Sequence, residues 1–141
     1  MKNRETGENG YRKGHPWYYL LGGRPPKLKE IRQEAQASGY RGYLADHIDK
    51  ADKMQEPKRS QALREYRGRA IQELGRDIRI YREVARDLHR YQAEQNPDDE
   101  PNCCDSVHTA MSLKYNHLYN DFAHLHVLDE LLGKQRDLFD L

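Results

Sequence analysis

Three polar residues in the last third of the chain have the side-chain types and the spacing of metal ligands. His117, Asp121 and His124 stand at positions i, i+4 and i+7, which places them on one side of a helix. A zinc site needs a third or fourth ligand from another element. Cys104, the second of two adjacent cysteines after Cys103, lies about 20 Å along a helix from His117, so one ion cannot take ligands from both groups. We therefore predict no metal site, and instead an Asp121–histidine pair where two helices meet.

Arg82 and His89 lie seven residues apart, on the same side of an arginine-rich helix. This spacing resembles the Arg…His pair of the HEPN ribonucleases, which are small all-helical dimers. The resemblance covers one helix. The chain departs from the family pattern after the arginine, because it lacks the polar residue that usually follows and has Glu83 there instead. It implies that Arg82 and His89 would meet their symmetry mates and cleave RNA without a metal ion.

A second short motif, GGRPPK at residues 22–27, is similar to the Gly-Arg-Pro centre of an AT-hook. The resemblance implies an extended Arg-Pro backbone in the minor groove of DNA, with Lys27 and Lys29 close to phosphates. Gly22 stands where the motif has its first arginine. The other interpretation of this stretch is a solvated linker.

The densest aromatic cluster precedes this motif, in HPWYYLLGGRPPKLKE at residues 15–30, which contains the only tryptophan. Tyrosine and tryptophan are enriched at protein interfaces because they supply a large contact area at a small entropic cost. Glycine and proline pairs follow the cluster, so we expect it to stand apart from the core and to contact a partner. The alternative is that it packs on its own helices. The predicted partner-binding residues are Trp17, Tyr18, Tyr19, Arg24, Lys27 and Lys29.

The charges are distributed unevenly along the chain, although the net charge is only +1. Residues 1–32 contain eight Lys/Arg and three Asp/Glu, whereas residues 96–141 contain three and nine. This asymmetry suits either a basic surface that binds a polyanion or an attraction between the two ends, within a monomer or between copies. The predicted polyanion-binding residues are Arg12, Lys13, Arg79, Arg82, Arg86 and Arg90.

The composition narrows the class of protein. A length of 141 residues predicts one compact domain. The mean hydropathy of −1.14 is close to that of disordered chains, but the low net charge and the periodic apolar residues argue against disorder. The chain contains no apolar run of 18 residues, so we expect no membrane span, and it contains no signal-peptide pattern. Adjacent cysteines do not form an ordinary structural disulfide, so we expect a cytoplasmic protein.

Two long amphipathic helices are the clearest structural signal. Apolar residues recur with the helical period over residues 58–95 and 105–132, and Gly133 is expected to close the second helix. Arg67 and Asp77 fall in or beside the apolar stripe, which predicts either an ion pair within the chain or a charged partner. The residues of the stripes that we expect to be buried are Leu74, Ile78, Leu118 and Phe122.

Shorter helices are predicted before the long ones. Pro16 suits the first position of a short helical turn, which Gly22 ends. Gly39 is expected to cap the C-terminus of the second short helix, and the third ends before Pro57. The predicted short helices cover residues 16–21, 27–38 and 40–54. The fold class is therefore all-α: a long antiparallel helical hairpin, with two short N-terminal helices packed against it and an extended aromatic and basic N-terminal arm. We place a partly mobile arm at residues 1–26 and a single helical domain at residues 27–141.

These patterns favour a non-enzymatic binding protein, acting as an adaptor, inhibitor or regulator of a larger macromolecular complex through the aromatic and basic arm and the helical faces. No catalytic residue and no cofactor are predicted. The expected partner is another protein or protein complex, with a homodimer as an alternative. A nucleic-acid-associated protein that uses residues 11–32 and the arginine face of the long helix is the second interpretation. A HEPN-like metal-free ribonuclease is the third.

Overall fold

The computed structural model describes residues 12–94 and 106–139, without the side chains of Ser106 and of residues 134–139. Its helices are α1 (Pro16–Leu20), α2 (Leu28–Ala37), α3 (Ala45–Asp52), α4 (Lys58–Glu94) and α5 (Ser106–Phe139). Within the described ranges there is no strand, which confirms the all-α prediction. The predicted acidic loop at 96–102, both cysteines and the first residues of the predicted arm lie outside these ranges.

Local signals set most of the helix boundaries. Pro16 is the first residue of α1, and the Nδ1 atom of His15 accepts a hydrogen bond from the Trp17 N–H at 3.1 Å. Gly39, with φ of +74°, stands just beyond α2 as predicted. By contrast, α3 begins later than the predicted residue 40, because Gly42 adopts a φ of +83° that no helix contains.

The prediction that Gly133 closes the last helix is wrong, since α5 continues to Phe139. A glycine inside a helix costs about 1 kcal/mol relative to alanine, which does not stop a helix when helix-forming residues follow. The residues after Gly133 are Lys, Gln and Arg, and all three have good helix propensity.

The chain forms two compact units, each of which contains part of both long helices. Unit 1 comprises residues 1–30 and 77–117, and unit 2 comprises residues 31–76 and 118–141. The predicted boundary between the arm and the domain, at residues 26 and 27, therefore falls inside unit 1.

Unit 2 has a small apolar core to which three helices contribute. Its buried members are Ile48, Ala51, Leu63, Val127 and Leu128. The Arg59 guanidinium donates to the Asp52 carboxylate at 2.7 Å and to the Leu131 carbonyl at 3.1 Å, which connects all three helices. Arg67 lies 2.7 Å from Asp129, so this charge beside the stripe has its counterion on α5. In this unit, α4 and α5 run antiparallel.

Unit 1 pairs the last part of α4 with the first part of α5, again antiparallel. Asp77 lies 3.6 Å from Lys114, and the Tyr91 ring meets the His108 ring edge-on at 5.1 Å. Asp77, the second charge beside the stripe, thus also has a cationic partner within the chain. Residues 12–30 complete this unit, where the Ser112 hydroxyl donates to the Gly14 carbonyl.

The burial of the apolar stripes is only partly as predicted. Leu118 and Phe122 are buried, which confirms the prediction for α5. Leu74 and Ile78 are only half-buried, so the prediction for these two residues is wrong. A helical period shows which face points inward, but not how completely neighbouring elements cover it.

None of the helices within residues 12–94 and 106–139 combines the length and the apolar character required to cross a membrane.

Candidate functional site

A groove in unit 1 is lined by both charged and apolar residues. Its volume is about 490 Å³, and it lies between the chain segment at residues 26–28 and one side of α4. The residues that line it are Pro26, Lys27, Leu28, Tyr81, Arg82, Ala85 and Arg86. The four residues from α4 are spaced i, i+1, i+4 and i+5, so they form a continuous strip on one side of the helix.

Two hydrogen bonds attach the first wall of the groove to α4. The buried Tyr81 hydroxyl donates to the Pro26 carbonyl at 2.5 Å, and the Gln92 side chain donates to the Tyr19 carbonyl at 3.1 Å. Tyr81 and Gln92 are about 16 Å apart along the helix axis. The segment from Tyr19 to Pro26 therefore runs beside α4 over this length, and its consecutive prolines keep its last residues extended.

The Tyr81 hydroxyl is protonated, and its burial suppresses ionisation further. Burial raises the pKa of the Tyr81 hydroxyl well above its usual value, and the negative charge of Glu30 and the neighbouring Tyr18 raise it further. A protonated Tyr81 keeps the end of this segment in place over the whole physiological pH range. This hydrogen bond holds Pro26, one of the residues that line the groove, against α4.

Three cations stand at the rim of the groove. Lys27, Arg82 and Arg86 are exposed, and within residues 12–94 and 106–139 no ion pair involves any of them. The described part of unit 1 contains ten Lys/Arg and five Asp/Glu. The positive charge at the rim is thus available to a ligand from outside the chain.

Most of the residues predicted to bind a polyanion form one surface. Arg79, Arg82, Arg86 and Arg90 are exposed, and they fall within an arc of about 80° on α4. Arg12, Arg24 and Lys29 are also exposed members of unit 1, and Lys13 is half-buried. Of all the predicted binding residues, the structure places Lys27, Arg82 and Arg86 in the groove.

The aromatic cluster does not stand apart from the core, so this part of the prediction is wrong. Tyr19 is 0% exposed, and Trp17 and Tyr18 are half-buried in unit 1. The glycines expected to separate the cluster fold the chain back instead. Gly22 has a φ of +88°, and the Gly23 N–H donates to the Tyr18 carbonyl at 2.8 Å. The predicted role of the three aromatic residues in binding a partner remains a prediction.

The three residues with metal-ligand spacing serve different contacts. His117 lies 3.9 Å from the Asp77 carboxylate in unit 1. In unit 2, Asp121 is buried, and His124 is buried with its Nε2 atom accepting the Leu44 N–H at 3.3 Å. Among the described residues, no group of three His, Cys, Asp or Glu side chains could hold a metal ion.

His124 holds the turn before α3 in place. The Tyr43 ring meets the imidazole edge-on at 4.8 Å, and Gly42 lies so close that a Cβ atom there would overlap the ring. Burial lowers the pKa of the His124 imidazole, which keeps Nε2 unprotonated and able to accept the Leu44 N–H.

The Arg…His pair that resembles the HEPN ribonucleases has both members at the surface. Arg82 and His89 are exposed on α4, and Arg82 lines the groove whereas His89 does not. The ribonuclease alternative remains a prediction.

Sequence reasoning missed the apolar floor of the groove. Leu28 and Ala85 each lie in a predicted helix, and Pro26 lies in the GGRPPK motif. No local pattern pairs residue 26 with residue 81, which is 55 positions away.

Comparisons with known proteins add no relative: no protein-family model, curated protein or solved structure matches this chain.

Proposed function

We propose that this protein is a non-enzymatic binding protein, an adaptor, inhibitor or regulator of a larger complex, that holds an anionic protein partner at the groove of unit 1. The observation that carries the proposal is the arrangement of Lys27, Arg82 and Arg86. These exposed cations surround an apolar floor, and none of them pairs with an acid among the described residues.

The physical support is a combination of two forces. Uncompensated surface cations accelerate the encounter with an acidic partner and select its orientation, but contribute modest affinity in water. An apolar floor supplies affinity by removing the partner's apolar side chain from water. A groove that offers both is suited to a protein segment with both kinds of side chain.

The polar chemistry of the groove favours binding over proton transfer. The Tyr81 hydroxyl donates to the Pro26 carbonyl, and burial raises its pKa. A general base requires a pKa near the working pH, which this hydroxyl does not have. The guanidinium groups of Arg82 and Arg86 can donate hydrogen bonds to an anion.

A second candidate, a nucleic-acid-associated protein, is favoured by a different observation. Arg79, Arg82, Arg86 and Arg90 fall on one face over about 16 Å of α4. A stripe of this length could contact several phosphates along a strand. Glu83 and Asp87 are exposed on the same part of α4, beside this stripe, and would repel a phosphate backbone.

The test is affinity capture from extracts of the native host with the immobilised full chain. A triple variant, Lys27→Gln, Arg82→Gln and Arg86→Gln, removes the groove cations. The matched control removes three exposed arginines of unit 2: Arg32→Gln, Arg64→Gln and Arg69→Gln. Circular dichroism checks that both variants keep the helical content of the wild type.

We expect at least one protein, identified by mass spectrometry, to be retained by the wild type and the control but lost from the groove variant. The result must survive nuclease treatment. Loss of all captured material on nuclease treatment would support the second candidate instead. Equal capture by the groove variant and the wild type would contradict both.

A further inference from the structure

The floor of the groove is built to accept an apolar side chain. Pro26, Leu28, Tyr81 and Ala85 present carbon atoms to a cavity of about 490 Å³. This volume is within the range of roughly 300–1,000 Å³ for ligand pockets. Contacts to a phosphate backbone would use the rim cations and leave this floor empty, so the floor favours a peptide.

The rim has the spacing of alternate residues in an extended peptide. Arg82 and Arg86 are one helical turn apart, about 6 Å along the axis. Side chains two positions apart in an extended chain point the same way and are about 6.6–6.8 Å apart. Two carboxylates at alternate positions can therefore each meet one guanidinium, while the residue between them points to the opposite side, towards the floor.

Guanidinium groups are well suited to this recognition, because each can donate two parallel hydrogen bonds to one carboxylate. Lys27 adds a third positive charge from the other wall. The charge of Glu30 acts on Tyr81, and Glu83 and Asp87 are exposed on α4. Around α4, Arg82 and Arg86 lie between the groove residues Tyr81 and Ala85 on one side and Glu83 and Asp87 on the other. A short segment in the groove is therefore separated from these acids by the two arginines, whereas a polyanion that follows the arginine stripe would run directly beside them.

We infer that the groove binds a short acidic segment of another protein, in which an apolar side chain stands between two carboxylates and the backbone is extended along α4. This inference rests on the proposed function and names the chemistry of the partner. Charge complementarity with Lys27, Arg82 and Arg86, together with the apolar floor, carries it.

The experiment measures fluorescence anisotropy of a labelled synthetic peptide, Ser-Asp-Phe-Asp-Leu-Asp-Ser-Gly, titrated with the full chain. One control peptide replaces Phe and Leu with Ser, and another replaces Asp with Asn. A labelled oligonucleotide of twelve thymidines is the fourth probe. We expect the first peptide to bind at least tenfold more tightly than either control peptide and than the oligonucleotide at the same salt concentration.

Variants of the protein separate the rim from the floor. Arg82→Gln and Arg86→Gln should each weaken peptide binding about tenfold or more, because hydrogen bonds to charged groups are lost. Ala85→Leu fills the groove without changing its charge and should weaken binding by a similar factor. The matched controls, Arg64→Gln and Ala37→Leu, alter exposed residues of unit 2 and should leave binding unchanged.

Two results would overturn the inference. The first is an affinity of the oligonucleotide that equals or exceeds that of the peptide and is insensitive to Ala85→Leu. The second is binding of the charge-only peptide as tight as that of the full motif, because the floor would then have no role. If the peptide fails but the capture experiment still identifies a protein lost from the triple variant, the proposed function stands and only the partner chemistry is wrong.

Discussion

The contact between Gly42 and His124 allows a sharp test of the packing in unit 2. Gly42 has a φ of +83°, and a Cβ atom added there would overlap the imidazole of His124. Replacement of Gly42 by alanine therefore introduces two separate costs. The left-handed backbone conformation costs about 1–2 kcal/mol for a residue with a side chain. Displacing a buried ring costs about a further 1–3 kcal/mol.

Gly39 supplies the matched control, because it shares the backbone conformation but not the contact. Its φ is +74°, and a Cβ atom there would meet nothing within 4 Å. Gly39→Ala should lose only the conformational part. We expect Gly42→Ala to lower the free energy of unfolding by about 1–3 kcal/mol more than Gly39→Ala does.

Urea unfolding followed by circular dichroism measures both values, with the midpoints compared at equal m-values. A double variant, Gly42→Ala with His124→Ala, tests the cause. When the ring is absent, Gly42→Ala should lower the free energy of unfolding by a smaller amount. The difference is the coupling energy between the two sites. Equal losses for Gly42→Ala and Gly39→Ala, or a coupling energy of zero, would show that the turn does not depend on this contact.

Further predictions concern pH, the core and the wall of the groove. Burial lowers the pKa of His124 in the folded state, so the unfolded chain takes up a proton first as the pH falls. The contribution of neutral His124 to the free energy of unfolding is complete above the unfolded pKa of about 6.5 and decreases below it. Urea unfolding at pH 7.5 and 5.5 measures this loss of stability. The loss should be smaller in His124→Ala than in the exposed-site control His47→Gln. Leu118→Ala should lower the free energy of unfolding by about 2–5 kcal/mol in the same assay, and Leu74→Ala, at a half-buried position, should lower it clearly less. Equal losses would contradict the burial of these two residues. Tyr81→Phe loses the hydrogen bond to Pro26 and should cost about 1 kcal/mol, while an unchanged free energy of unfolding would mean that this bond does not stabilise the wall.

Several helix boundaries could be derived from local signals in the sequence, although the end of α5 could not. The start of α4 at Lys58, the start of α5 at Ser106 and the cap at Gly39 were all predicted to within one or two residues. Backbone hydrogen bonds in a helix join residues four apart, so propensity, caps and periodicity are present in any short window of sequence. The exposed arginines of α4 follow from the same periodicity, because the side opposite the apolar stripe faces water.

Tertiary structure decided the features that depend on residues far apart in the chain. The sequence predicts Tyr19 as an interface residue. In the structure it is 0% exposed, and its carbonyl accepts a hydrogen bond from Gln92. The sequence around Gly42 does not indicate its contact with His124, which is 82 positions later in the chain. The groove exists only because Pro26 meets Tyr81. Such contacts depend on how the chain closes loops of 55 to 82 residues, and the free energy of that closure is determined by the packing of all the intervening elements rather than by a local pattern.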